Sequence, residues 1–141
     1  MTRWLSLVCL VAAPGVTQQG PAEAVASFHA ALIAGDSAAA MALLDPAVII
    51  FESGGAELSA AEYAGHHLPA DMAFAQAVTR SVENQQVQEA DDVAWVLTQS
   101  RTTGTYRDRP LDLRGTETMV LRRTEAGWRI VHVHWSSQRS G

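Results

Sequence analysis

With 141 residues, 48% of them hydrophobic, the chain has the length of one domain and enough apolar side chains for a packed core, which excludes a second domain. Its net charge is −5 and all 10 basic residues are arginine, so it lacks the concentrated basic face that phosphate binding needs and no nucleic-acid partner is expected. The lone cysteine, Cys9, excludes an intramolecular disulfide, a paired-thiol redox centre and a cysteine-built metal site.

Met1-Thr2-Arg3-Trp4 and the run Leu5 to Ala13, apolar except for Ser6, precede the turn-prone Pro14-Gly15-Val16-Thr17. One positive charge, a short apolar core and small residues after it form the layout of a secretory signal peptide. The run is too short to anchor in a bilayer. The expectation is a signal over residues 1–20, a domain over 21–137 and a tail over 138–141, in a periplasmic or secreted protein without a stable membrane anchor. The alternative is a cytoplasmic protein with an extra apolar helix.

Pro21-Ala22-Glu23 opens an amphipathic helix with Val25, Phe28 and Leu32 on one face, and Gly35 ends it. His29 is expected at the edge of that helix. Asp36-Ser37 caps a second helix through Leu44, stopped by Asp45-Pro46 because the residue before proline leaves the α region. Val48-Ile49-Ile50-Phe51 is a β-branched and aromatic run that predicts the first strand, and Gly54-Gly55 turns out of it. Ser59, three residues before Glu62, marks the start of a third helix through His66 and His67, which Pro69 kinks or ends. From Ala77 the pattern is β: strands over Val78–Glu89, Val93–Tyr106 and Leu111–Arg123, then the closing strand from Gly127 to Ser137. Short polar turns between them predict an antiparallel meander. No internal repeat, linker or low-complexity tract interrupts it.

The closing strand alternates at period two, placing Val131, Val133 and Trp135 on one face and Ile130, His132, His134 and Ser136 on the other. The stretch Trp128 to Ser136, W-R-I-V-H-V-H-W-S, resembles the last strand of the nuclear transport factor 2-like superfamily, above all the SnoaL-like branch with the association domain of calcium/calmodulin-dependent protein kinase II. Ala34-Gly35-Asp36, Leu44-Asp45-Pro46 with Phe51-Glu52, and Thr116-Glu117-Thr118 with Arg122-Arg123 agree in the same order. The resemblance implies a cone-shaped α+β fold, three helices on a curved antiparallel sheet, assembled as a homodimer or larger homo-oligomer. It implies no single activity, because this fold hosts isomerases, cyclases, dehydratases and assembly modules.

Four of the five histidines fall in two pairs, His66/His67 and His132/His134, which the cone brings toward one another. Glu52 closes the first strand, where ketosteroid isomerase relatives carry a general base in an apolar pocket; the first helix here lacks the tyrosine that would face it. Glu117 shares a strand face with Gly115, Met119 and Leu121 and is read either as a buried partner of an arginine or as part of a site. Arg101 is the arginine nearest to the position of the family's pocket arginine, although one step of register reverses its face. Seven arginines lie between Arg101 and Arg129, on a solvated sheet face or with one or two in an anion-binding pocket. Trp95, Trp128, Trp135 and Tyr106 are expected mainly as core or interface.

The expected pocket therefore combines Tyr63, His66, His67, Arg101, Glu117, His132, His134 and Trp135, with Glu52 as its candidate catalytic group. It would bind a small organic molecule, with no cofactor. Two readings follow: an exported binding or assembly module, and a small isomerase, cyclase or dehydratase using Glu52 or a histidine as general base. No metal is expected; the weak alternative is a divalent ion held by His66, His132 and His134. No nucleophile elbow, phosphate loop or nucleotide fingerprint supports a hydrolase, kinase or oxidoreductase.

Overall fold

The computed structural model describes residues 19–140, so the expected signal segment lies outside the described residues except for Gln19 and Gly20. Helix α1 (Pro21–Ala34) begins on the proline, which has no N–H of its own to leave unpaired in the first turn, and stops at Gly35, where φ is 68°. Helix α2 (Ser37–Leu43) is capped by Asp36, whose carboxylate accepts the Ala39 N–H at 2.9 Å. Strand β1 (Leu44–Glu52) follows at once and includes the expected Val48–Phe51 run.

Two elements differ from the sequence expectation. Ser53 and Gly54, with φ of 50° and 81°, fold the chain back into a short strand β2 (Gly55–Glu57) against the end of β1. The third helical region is two helices, α3 (Ala60–His66) and α4 (Leu68–Ala77), giving four rather than three. At the start of α3 the Ser59 hydroxyl accepts the Glu62 N–H and the Glu62 carboxylate accepts the Leu58 N–H. Pro69 does not simply end a helix; it lies in the first turn of α4, where proline is tolerated.

Strands β3 (Val78–Ala90), β4 (Val93–Tyr106), β5 (Arg109–Thr124) and β6 (Gly127–Arg139) form the expected meander. The last strand reaches Arg139, so Gln138 and Arg139 of the expected tail pair with β5. Sheet order is β2-β1-β6-β5-β4-β3. Helices α3 and α4 carry the chain to the far edge, and three hairpins return β6 alongside β1 in parallel. The sheet is thus mixed, not wholly antiparallel. Gly104, at φ 147°, leaves room for the chain entering β3, since a Cβ there would lie 3.0 Å from the Ala77 carbonyl oxygen.

The period-two reading of β6 fails at one residue. His132 pairs with Val120 but Ile130 with Leu121, so Val131 is the extra residue of a β-bulge. Trp128 and Ile130 before the bulge, and Val133 and Trp135 after it, consequently share the face toward the helices, while His132, His134 and Ser136 take the other. Ile130 and Val133 are fully buried with Phe28, Tyr63, Val96, Met119 and Leu121 in the core between helices and sheet. Replacing Ile130 by Ala should cost about 2–5 kcal/mol, as for other buried aliphatic truncations. His132→Ala, on the outer face, should cost about 1 kcal/mol or less, the worth of one hydrogen bond. Urea unfolding of both variants checks this, and equal losses would contradict the bulge.

Candidate functional site

Helices α1 and α4 do not close completely onto the sheet. A hollow of about 430 Å³ opens between them and the inner faces of β3, β4, β5 and β6. A smaller one of about 360 Å³ lies between β1, β2 and α3, and the two share Glu52, Ser53 and Trp135. Apolar walls come from Val25, Leu32 and Ile33 of α1, Phe74 and Ala75 of α4, and Leu113 of β5.

At the floor of the larger hollow stands Glu117, 5% exposed. Its Oε2 accepts hydrogen bonds from His29 Nε2 at 2.7 Å and Trp135 Nε1 at 2.6 Å, and its Oε1 accepts one from an Arg80 guanidinium nitrogen at 3.4 Å. Burial pushes this carboxyl up. The His29 bond, the positive charge available on His29 and Arg80, and the Trp135 bond outweigh it and hold the group below the usual carboxylate range. Trp135 is steadied in turn by stacking on Phe28, ring centres 6.4 Å apart.

A second polar group surrounds the junction of the two hollows. Tyr63, fully buried, donates its hydroxyl to Asp71 at 2.8 Å. Burial pushes Asp71 up despite that bond, and burial together with the Asp71 charge pushes the Tyr63 hydroxyl up. Glu52, at the exposed lip, is raised by desolvation of its carboxyl and by the charges of Asp71 and Glu57. Glu57 is buried; its Oε1 accepts His67 Nδ1–H, which raises the His67 pKa.

The residues expected to share one pocket separate onto two faces. Glu52, Tyr63, His67, Glu117 and Trp135 line the hollows. His66 lies 3.8 Å from Glu57 but its side chain is 65% exposed and lines neither. His132, His134 and Arg101 lie on the opposite face of the sheet. His132 Nδ1 donates to the Ile49 carbonyl at 2.9 Å, and both strand histidines meet the edge of Phe51. Arg101 grips Asp112 through two bonds of 2.8 and 2.6 Å, which hold that carboxyl at about 2. The alternative metal set of His66, His132 and His134 therefore does not converge, and among the described residues no three metal-ligating side chains do. None of the seven later arginines lines the larger hollow; Arg80 does.

His29 and Arg80 are the site residues that the sequence reading missed. His29 stands four residues after Val25 and three before Leu32, on the border of the apolar stripe. Arg80 alternates with Val78 and Val82, which puts all three on one strand face. Both signals were present but ordinary for an amphipathic helix and an edge strand.

Residues 22–139 match the SnoaL-like domain family. The chain belongs to this family. A candidate ketosteroid isomerase of Shewanella frigidimarina is 37% identical, with 81% of this SnoaL-like chain and 92% of that one covered and a TM-score of 0.78. The calcium/calmodulin-dependent protein kinase II hub of S. rosetta is 26% identical over 85% of this chain and 98% of that one, at a TM-score of 0.69. A candidate dehydratase of the nuclear transport factor 2-like family from Streptomyces avermitilis, 19% identical, covers 84% of this chain and 94% of its own at a TM-score of 0.71, a likeness of fold. No curated protein matches the SnoaL-like chain.

The opposite shifts of Asp71 and Glu117 have opposite signs in stability. A carboxyl whose folded pKa is raised, such as Asp71, loses stability as pH rises above its unfolded value; one that is depressed, such as Glu117, loses it as pH falls through its folded value. Asp71→Asn keeps an acceptor for Tyr63 and should therefore raise the melting temperature more at mildly alkaline pH than near pH 4, the ordinary carboxylate range. Calorimetry across that range checks it, and a pH-independent difference would refute it.

Proposed function

We propose that this SnoaL-like domain binds a small, mostly apolar organic molecule in the larger hollow. The supporting observation is the Glu117 floor: a buried carboxylate held by His29, Arg80 and Trp135 beneath walls of aliphatic and aromatic side chains. An apolar cavity with a few convergent polar groups is the usual form of a small-molecule site. The electrostatics favour an uncharged ligand over an anion, because Glu117 offsets Arg80 and His29 while Glu52 and Asp71 add negative charge nearby. A thermal-shift screen of small uncharged carbonyl and hydroxyl compounds tests the reading, since binding to the folded state raises the melting temperature. Ala75→Trp, which fills the hollow, should abolish any shift, and His134→Ala on the other face should preserve it; the reverse pattern would sink the proposal.

A second reading, proton-transfer catalysis with Glu52 as general base, is favoured by the raised Glu52 carboxyl at the opening of the hollow. The likeness to a candidate ketosteroid isomerase supports it. Export to the periplasm or the exterior, as the first residues suggest, remains part of the proposal.

The outer face of the sheet supports self-association. Ile49 and Phe51 on β1 and Val93 and Leu97 on β4, on either side of β6 and β5, are large apolar groups 37–42% exposed on this face. A second copy of the chain covering this face fits the likeness to a kinase hub. Light scattering should then give a multiple of the protomer mass, 15.1 kDa for the 141-residue chain, and the single mass for a Phe51→Asp, Leu97→Asp double variant of the same length. A monomeric natural chain would remove the proposal.

A further inference from the structure

The hydrogen bond between Glu117 and His29 does more than anchor a helix. A carboxylate only accepts, so the bonded Nε2 must carry the proton. In the neutral imidazole Nδ1 is then the unprotonated, basic nitrogen. Among the described residues Nδ1 has no hydrogen-bond partner, it is not among the buried unpartnered atoms, and the ring lines the larger hollow. Its side chain is only 18% exposed, so the ring is mostly shielded from bulk solvent. Arg80, 23% exposed, spends one long contact of 3.4 Å on Glu117 and keeps other N–H groups for the same hollow.

We propose that His29 is the general base of this hollow, acting on an uncharged carbon acid, with Arg80 receiving the developing oxyanion and Glu117 as a positioning residue that fixes the imidazole tautomer. The inference rests on the small-molecule reading of the hollow and replaces Glu52 as its base. In the step, His29 Nδ1 takes the proton from carbon and the released electron pair moves onto an electronegative atom beside Arg80. The imidazolium that forms stays bonded to the Glu117 carboxylate and then returns its proton to product or water. No electron donor or acceptor is required. The carboxylate's contribution is to stabilise the cation and to keep Nδ1 free, the role such a group has in acid–histidine pairs generally.

The first test needs no substrate. Nitrogen-15 NMR of histidine-labelled full-length protein at mildly alkaline pH should show His29 as the single Nε2–H tautomer. Glu117→Gln, whose amide both donates and accepts, should mix the two tautomers; an Nδ1–H tautomer in the natural protein would overturn the proposal. The second test uses 5-nitrobenzisoxazole, an uncharged carbon acid. Loss of its ring C–H proton to a base forms the nitrile, breaks the N–O bond and expels a coloured phenolate. His29→Gln should lower turnover on the order of a hundredfold, the usual worth of a positioned general base. Glu117→Gln should lower kcat with little change in KM, and His134→Ala should leave both unchanged. Turnover by His29→Gln within about twofold of the natural protein, or a larger loss in Glu52→Gln, would overturn the assignment. If the probe raises the melting temperature without these rate differences, only the role of His29 fails. If it raises it in no variant and is not turned over, the small-molecule reading of the hollow fails as well.

Discussion

The buried carboxylate of Glu117 is the constraint on which the interior depends. An ionised group that is 5% exposed is tolerated only when its lone pairs are occupied, and its partners come from α1, β3 and β6. One side chain therefore joins the first helix, the far edge of the sheet and the closing strand. Removing it would leave a histidine, an arginine and an indole N–H facing apolar walls.

The two polar groups of the interior differ in kind. Around Glu117 donors outnumber carboxylates, so the charge is stabilised. Around Tyr63, carboxylates from β1, β2 and α4 lie close together, so Glu52 and Asp71 bind protons more readily than usual. A ligand spanning the shared wall of Glu52, Ser53 and Trp135 would meet a carboxylate satisfied by three donors at one end and, at the other, carboxyls that burial and neighbouring negative charge push up.

Much of the fold was legible because its signals are local. Proline at a first turn, glycine past a helix end, Ser59 with Glu62, and long alternating strands each specify an element without reference to the rest of the chain. The site was less legible because it depends on register. Val131 shifts the alternation of β6 by one residue, which moves His132 and His134 to the outer face and keeps Ile130 in the core. A bulge leaves no reliable mark in a run of β-branched residues. Arg101 and Arg80 illustrate the same limit: they occupy adjacent strands and differ in which face their register assigns them. The inward face of Glu117 was legible because Met119 and Leu121 continue it without interruption. The short β2 and the split of α3 from α4 escaped because three residues and a single proline carry little pattern.

The parallel pairing of β1 with β6 has a consequence for biosynthesis. β6, the last of the described strands in chain order, lies inside the sheet between β5 and β1. A ribosome-bound chain from which β6 has not yet emerged would hold two separate strand sets, β2-β1 and β5-β4-β3, each with an open edge. Joining the two parts requires β6 to pair with β1 across most of the domain's length, and non-local pairing of that kind is slow to form relative to a helical bundle of the same size.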